Sequence, residues 1–395
     1  MGSIAQNPAG GDAHRFFKDQ TYHFQALRVL SDAPSGGADI AETLEAIGRI
    51  REGDPIGWHD AWAATARRNS ARAAACLDPV SRGLAHLRAH TYWRTAEFLL
   101  KPEDERRPNA WAAQIEAFDQ GLRVLGIAHT RFEVPYEGGS LRAIHYPGPA
   151  GSDAKPLVVM VGGYDSTLEE LYFVLVEAAH RRGYGVLTYE GPGQGAALRR
   201  HGLTFTHEWE RPNAAVLDAF LSRHPAPPAI VLVGMSMGGY LAPRAAAFDR
   251  RIDGVVAYDV FYDVASVARR FAALDADPAT RQIPGVVWAI DNARWTLGVT
   301  SVDGMIAGFA PYRLEAVAHR IAADVLILAG EADHFVPLEQ AKAFEAACVA
   351  ARSVETVMFD RPSGGAEHCQ LGAPTLWHET FFDWMIRRFG GALPR

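Results

Sequence analysis

From Pro156 onward, short continuous apolar runs recur along the chain: "PLVVMVGG", "YGVLTYEGPG", "AIVLVGMS", "IDGVVAYDV", "ADVLILAGEAD" and "VETVMFD". Between them lie stretches whose apolar residues fall at helical intervals. A strand that is apolar on both faces can leave neither face in water. It belongs inside a parallel sheet with helices packed on each side. The expected class is therefore α/β, with a mostly parallel sheet flanked by helices.

That region does not fill the 395 residues, a length that admits one large domain with insertions or two domains. From about Ala13 to Leu125, stretches such as "IAETLEAIGRI", "WHDAWAATARRNSARAAACL" and "AWAAQIEAFDQGLRVL" carry helical spacing and almost no strand signal. Asp54-Pro55, Asp78-Pro79 and "LKPEDERRPNAW" punctuate these helices. Pro79 and Pro108 suit helix starts, where the missing amide would go unbonded anyway. "TRFEVPYEGGSLRAIHYPGP" then alternates apolar and polar residues around Glu137-Gly138-Gly139, a hairpin signal. Residues 264–321 interrupt the later alternation with helical sequence. The expected organisation is a helical region over 1–128, a sheet-containing core over 129–263 and 322–395, and a helical insertion over 264–321.

Hydrophobic residues at 48% and charged residues at 22% are ordinary globular usage. A formal charge of -7 with no Lys/Arg run lacks the footprint of a nucleic-acid binder. Cys76, Cys348 and Cys369 are too scattered for a disulfide framework or a CxxC metal site, so a reducing compartment is expected. No apolar stretch reaches transmembrane length, and "MGSIAQNPAGGDAHRFF" has neither the basic start nor the apolar core of a signal peptide. Gln6 stands where a myristoylation motif after Gly2 wants Ser or Thr. A cytoplasmic protein with no membrane or nucleic-acid partner is expected, and no metal or organic cofactor is indicated.

In an open parallel sheet, functional groups collect beyond the carboxyl ends of the strands. After "AIVLVG" comes Gly234-Met235-Ser236-Met237-Gly238, a G-x-S-x-G pattern in which glycines relieve a sharp strand-to-helix turn and lift the hydroxyl clear. Taken alone, the motif also reads as an ordinary glycine-rich turn. A serine hydroxyl is a weak nucleophile that needs a base, and the base needs a third group to hold its tautomer. Asp333 follows "ADVLILAG" and His368 follows "VETVMFD", giving the chain order Ser, Asp, His of the α/β-hydrolase arrangement. Ser236 is then the candidate nucleophile, His368 the general base and Asp333 the orienting acid. Asp259 and Asp263 are rival acids, and Asp333 is alternatively a cap for a helix near Pro337. His334, His207 and His378 are rival bases among 15 histidines, but only His368 lies in a Gly-rich loop after the last strand.

An oxyanion formed on attack needs donors already aimed at it. The backbone amide of Met237 is one candidate. The second is the amide of Tyr164 in Gly162-Gly163-Tyr164-Asp165-Ser166-Thr167, where two glycines permit close backbone approach. Asp165 beside that hole would oppose negative charge if ionised and could donate a proton if burial raised its pKa. Its plainer reading is a cap for a helix starting near Thr167. "YEGPGQG" lacks the Lys-Ser/Thr of a phosphate loop and reads as a tight strand-to-helix connection at the rim of the site. Met235 and Met237 pack the serine turn.

"GGYDST", "YEGPGQG", "GMSMGG", "GEADHFVP" and "GAEHCQLG", in this order behind a helical region, resemble one branch of the α/β-hydrolases. That branch includes 2,6-dihydroxypseudooxynicotine hydrolase and the fungal yellowish-green hydrolases that shorten polyketides. The resemblance covers about Arg131 to the end by motif, and the earlier part by helical character. It implies an α/β-hydrolase fold with an N-terminal helical lid domain and a helical cap, a triad of Ser236, Asp333 and His368, and cleavage of a carbon–carbon bond beside a ketone. It also implies a homodimer. In the nicotine-degrading member a Glu that assists catalysis follows Gly-Gly-x; here the matching residue is Asp165, one methylene shorter.

The expected activity is a serine hydrolase acting on an aryl ketone, β-dicarbonyl or polyketide-derived small molecule. An esterase, thioesterase or acyltransferase would use the same residues. A non-catalytic receptor on the same fold is disfavoured because all three triad members are present. Tyr92-Trp93 and the Trp288 to Trp295 stretch could wall an aromatic pocket, although helix packing is the plainer reading of each.

Overall fold

The computed structural model describes residues 15–390, so the N-terminal stretch read for targeting signals lies largely outside the described residues. These residues fall into two compact units. One joins the chain up to Ala128 with Ala273–Asn292, and the other joins His129–Ala272 with the chain from Ala293.

The first unit is built on helices α1 (Gln20–Ser31), α2 (Ile40–Ile47), α3 (Pro55–Ala75), α4 (Pro79–Glu97) and α5 (Arg106–Leu125). Asp19, Asp39, Asp54 and Asp78 cap the first four, each side chain accepting a first-turn amide that the helix cannot satisfy itself. Pro55 and Pro79 occupy first positions, and Pro108 falls in the first turn of α5. Trp58, Trp62 and Tyr92 are wholly buried at the centre, with Trp62 and Tyr92 stacked at 5.8 Å. The Tyr92 hydroxyl accepts from the Asp39 amide and donates to Glu42, which satisfies a polar atom in the core. Tyr92 is therefore a core residue of this unit.

The second unit contains β1 (Thr130–Tyr136), β2 (Gly139–Tyr146), β3 (Leu157–Val161), β4 (Val186–Tyr189), β5 (Ile230–Met235), β6 (Gly254–Tyr258), β7 (Asp324–Gly330) and β8 (Ser353–Phe359). They form one sheet in the order β1-β2-β4-β3-β5-β6-β7-β8. The β1–β2 and β2–β4 pairs are antiparallel and the rest parallel. The β1–β2 hairpin turns on Glu137 and Gly138, both at positive φ, as a two-residue turn matched to strand twist requires. Every residue of β3, β5, β6 and β7 is buried, and each fully buried Val, Leu or Ile contributes roughly 1.5–3 kcal/mol of transfer free energy.

The connecting helices are α6 (Glu177–Arg181), α7 (Gly195–His201), α8 (Glu210–Leu221), α9 (Gly238–Ala246), α10 (Val264–Ala276), α11 (Pro284–Leu297), α12 (Val302–Phe309), α13 (Glu339–Ala347) and α14 (Pro374–Phe389). A π-helical turn over Tyr172–Val176 leads into α6. The insertion between β6 and β7 is helical over α10 to α12, yet it is not a unit of its own: Ala273–Asn292 groups with the first five helices. The cause is packing, since Trp288 stacks on Phe98 at 4.6 Å and its indole N–H donates to the Phe98 carbonyl. Trp288 is thus tied into the helical unit.

Strands β3 and β5 are neighbours although β4 separates them in sequence, so the chain proceeds to opposite sides of the sheet from these two strands. Such a reversal opens a crevice at the carboxyl ends of the strands. The loops after β3 and β5 carry Gly162-Gly163 and Ser236 into it.

Candidate active site

Strand β5 ends at Met235 and α9 begins at Gly238, leaving two residues for the turn. Ser236 adopts φ 59°, a left-handed conformation that costs a β-carbon-bearing residue roughly 1–2 kcal/mol. Its amide donates to the Tyr258 carbonyl and its carbonyl accepts from the Gly239 amide, both at 2.7 Å, which holds the strained residue in place. Only glycine fits at position 234, where a Cβ would stand 1.9 Å from the Gly238 carbonyl oxygen.

The loop after β8 brings His368 over this turn. His368 Nε2 lies 2.8 Å from Ser236 Oγ, and Nδ1 lies 2.6 Å from Asp333 Oδ2. The imidazole and the Asp333 carboxylate are both about 3% exposed. Asp333 Oδ1 meanwhile accepts the amides of Phe335 and Val336, so the carboxylate is fixed by its own loop. Arg270 braces that loop by donating to the carbonyls of His334 and Phe335. Burial alone would lower the His368 pKa, but the charge and hydrogen bond of Asp333 outweigh it and hold the imidazole well above its usual value. Burial conversely pushes Asp333 up, and the facing imidazole reverses this and leaves the carboxyl below its usual range. The electrostatics thus favour a proton on the ring once the serine releases one.

Beside Ser236 runs the loop after β3. A Cβ on Gly163 would lie 2.8 Å from Ser236 Cβ, 2.9 Å from the Met235 carbonyl oxygen and 3.0 Å from the Met237 nitrogen. This is the close backbone approach that the glycine pair predicts. Gln194, in the "GPGQG" turn between β4 and α7, is buried and donates its side-chain amide to both the Gly162 and Gly163 carbonyls, at 2.9 and 2.8 Å. Its own carbonyl accepts the Gly191 amide. The Gly163 amide donates to Ser166 Oγ. The Met237 amide donates to no group among the described residues, and the Gly163–Tyr164 segment passes next to it. Asp165 is half-buried one residue further on.

Aromatic rings border the site. Tyr164 is parallel to Phe205 at 6.4 Å and tilted against Phe309 at 6.3 Å, while Phe335 and Phe261 set their rings edge-on to His368 at 5.1 and 6.1 Å. As for metals, Asp259, His368 and Cys369 are the group among the described residues whose ligand atoms lie within 4.8 Å of one another. His368 is already engaged through both ring nitrogens, so the group is organised around hydrogen bonding.

The structure thus brings Ser236, His368, Asp333, Gly163 and Met237 to one point. Of the rival histidines, His334 lies beside His368 with ring centroids 6.3 Å apart, and the other two have other partners. His378 is buried on α14 against the Val174 carbonyl, and that burial pushes its pKa down to about 4. His207 faces Tyr312, and His334 is tilted against Phe335 and points toward Glu367 at 4.0 Å. Asp263 caps α10 through the Ser266 amide and faces Arg269 and Arg313. Asp259 is different: its Oδ2 lies 3.3 Å from His368 Nδ1, the same atom that Asp333 contacts. No regular helix starts at Thr167; its amide is taken by Glu170, and helical structure begins near Tyr172. Sequence reading missed Gln194, because the carbonyls it holds lie 32 and 31 residues earlier in the chain.

A family model described as the alpha/beta hydrolase family matches residues 158–375. The hydrolase acrC of Aspergillus aculeatus is 32% identical over 95% of this chain and 98% of its own. The 20-hydroxy-prefusarin hydrolase of Gibberella moniliformis is 30% identical, with the same coverage of each chain. Among solved structures, 2,6-dihydroxy-pseudo-oxynicotine hydrolase superposes with a TM-score of 0.74 over 91% of this chain and 95% of its own, at 23% identity. AbyA5 gives a TM-score of 0.69 over 91% of this chain and 93% of its own, at 20% identity, a likeness of fold.

Proposed function

The chain belongs to the alpha/beta hydrolase family, and from that premise we propose that it is a serine hydrolase cleaving the carbon–carbon bond beside a ketone in an aromatic or polyketide-derived substrate. The observation that carries the serine chemistry is the continuous relay from Ser236 Oγ through His368 to Asp333, at 2.8 and 2.6 Å, on a strained turn. His368 Nε2 takes the hydroxyl proton as Oγ attacks the carbonyl carbon. The amides of Met237 and Tyr164 receive the oxyanion. Asp333 keeps the Nδ1 proton in place and stabilises the imidazolium.

Collapse of the adduct must expel carbon, a far worse leaving group than an alkoxide. The electron pair of the breaking bond is delocalised into an enolate, and the carbon is protonated by His368, or by Asp165, which then recovers a proton from the imidazolium, so that His368 is neutral again by either route. The acyl group remains on Ser236 until water, deprotonated by His368, releases the carboxylic acid. The bordering aromatic rings of Tyr164, Phe205 and Phe309 support a flat, unsaturated substrate. The motif-level resemblance to polyketide-shortening hydrolases supports the carbon–carbon reading, and a relative named for 20-hydroxy-prefusarin supports a small-molecule substrate.

Product analysis with an aryl β-diketone and an activated aryl ester tests the proposal. Cleavage of the diketone into one equivalent each of ketone and carboxylic acid, lost in Ser236→Ala, is the expected result. Ester turnover with an untouched diketone would make the protein an ester hydrolase instead.

A further inference from the structure

At the end of β6, Tyr258 and Asp259 grip the residue that follows the base. The Tyr258 hydroxyl donates to the Cys369 carbonyl at 2.5 Å, and the Asp259 carboxylate accepts the Cys369 amide. Gln370 adds its side-chain amide to Asp259 Oδ1 at 3.4 Å. The gripped turn is strained, with Cys369 at φ 54° and Gln370 at φ 42°, and Asp259 itself sits at φ 58°. Residues held this way persist only where their surroundings over-determine them. A carboxylate that merely anchored Cys369 would have no reason to approach the imidazole. Yet Asp259, 1% exposed, places Oδ2 3.3 Å from His368 Nδ1, where Asp333 also points at 2.6 Å. One ring N–H therefore faces carboxylates from the ends of two neighbouring strands.

We propose that Asp259 is a second positioning acid for His368, fixing the base through Nδ1 and through the clasp on Cys369, and preserving the productive tautomer when Asp333 is removed. The inference rests on His368 serving as the base for Ser236. Loss of one acid need not then turn the ring over, because the Nδ1 proton still has an acceptor. The two acids differ in charge. Burial pushes Asp259 up to about 7 against the pull of His368, and the Asp333 charge adds to the rise. The groups facing it are His368 and Cys369 from the loop after β8, Asp333 from the loop after β7, and Tyr258 on its own strand; Arg270 and His334 act on Asp333. The raised pKa keeps Asp259 neutral at acid pH, and as it ionises on the alkaline side a second negative charge faces the imidazole and strengthens the base.

The test is the rate at which a fluorophosphonate labels Ser236 as a function of pH, in wild type, Asp259→Asn, Asp333→Asn and the double variant. Asparagine at 259 keeps an acceptor for the Cys369 amide, so the clasp survives while the charge is lost. The wild-type to Asp259→Asn rate ratio is expected to be near one at acid pH, where Asp259 is protonated, and to rise towards about tenfold on the alkaline plateau, where His368 is neutral, the equivalent of one pKa unit on the base. Asp333→Asn is expected to label about tenfold or more faster than the double variant. A ratio flat with pH, or equal rates for Asp333→Asn and the double variant, would overturn the proposal and leave Asp259 a structural anchor. A wild-type protein that never labels would overturn the underlying reading of Ser236 and His368, an outcome distinct from either.

Discussion

Replacing Gly163 by alanine isolates the contribution of the loop beside the nucleophile. Gly163 is not in a left-handed conformation, so the substitution adds a clash and no backbone strain. The new Cβ would meet Ser236 Cβ at 2.8 Å, the Met235 carbonyl oxygen at 2.9 Å and the Met237 nitrogen at 3.0 Å. Relaxed carbon–carbon contact needs about 3.5–4.0 Å, so the two loops must separate by roughly 0.7 Å or more. None of the three contacted atoms lies at the end of a flexible side chain, so no rotamer change relieves the overlap. Under the proposed mechanism, separation carries the Tyr164 amide away from the oxyanion, and it loosens the Ser236 turn. Loss of one such donor costs about 10²–10³ in kcat, or roughly 2.7–4 kcal/mol. Steady-state kinetics on an activated ester should therefore show kcat falling at least about a hundredfold with KM within a few-fold, while thermal unfolding stays cooperative. A folded variant with kcat within about threefold of wild type would refute the assignment of this loop to the oxyanion.

Other perturbations have equally definite outcomes. Gln194→Leu strands the Gly162 and Gly163 carbonyls and the Gly191 amide without their buried partner, so stability should fall by about 2–4 kcal/mol in a denaturant titration and kcat should fall more than KM changes. Because Asp333 holds His368 well above its ordinary pKa and the base must be neutral to accept a proton, activity is lost as pH drops through that raised value. Asp333→Asn should move this acid limb of kcat/KM to lower pH, and with Asp259 still present the plateau should drop by less than the roughly 10⁴-fold expected of an unsupported base; an unmoved limb would contradict the reasoning. Arg142 lies between the buried carboxylates of Glu169 at 2.5 Å and Glu190 at 3.8 Å, so Arg142→Met should destabilise by about 3–5 kcal/mol, read by urea unfolding.

The parts of this molecule that were legible in sequence are those where one residue's environment is set by its neighbours in the chain. The apolar runs became β3 to β7 because burial on both faces demands an uninterrupted pattern, while the edge strand β8 is only partly buried, and Asp54-Pro55 and Asp78-Pro79 start helices through local hydrogen bonds. Ser236, Asp333 and His368 could be picked out because strand ends converge on one edge of the sheet, and the structure brings them within hydrogen-bonding distance. What was not legible depends on contacts between distant loops. Gln194 reaches back across 31 and 32 residues to its two carbonyls, and nothing local to "GPGQG" announces that reach. Asp259 and Asp333 looked like alternatives because a linear reading assigns one acid to one base, whereas adjacent strands β6 and β7 deliver both to the same nitrogen. The insertion divides between two units for a similar reason, the contact of Trp288 with Phe98.

The central claim, that Ser236 attacks a ketone and a carbon–carbon bond breaks, is tested most directly by rapid quench of the protein with an excess of aryl β-diketone, followed by intact-mass and peptide analysis. An acyl group is expected on the peptide carrying Ser236, appearing together with a burst of one equivalent of ketone product, and neither in Ser236→Ala. Ketone release without an acyl adduct, or acylation by an ester under conditions that leave the diketone unchanged, would contradict it.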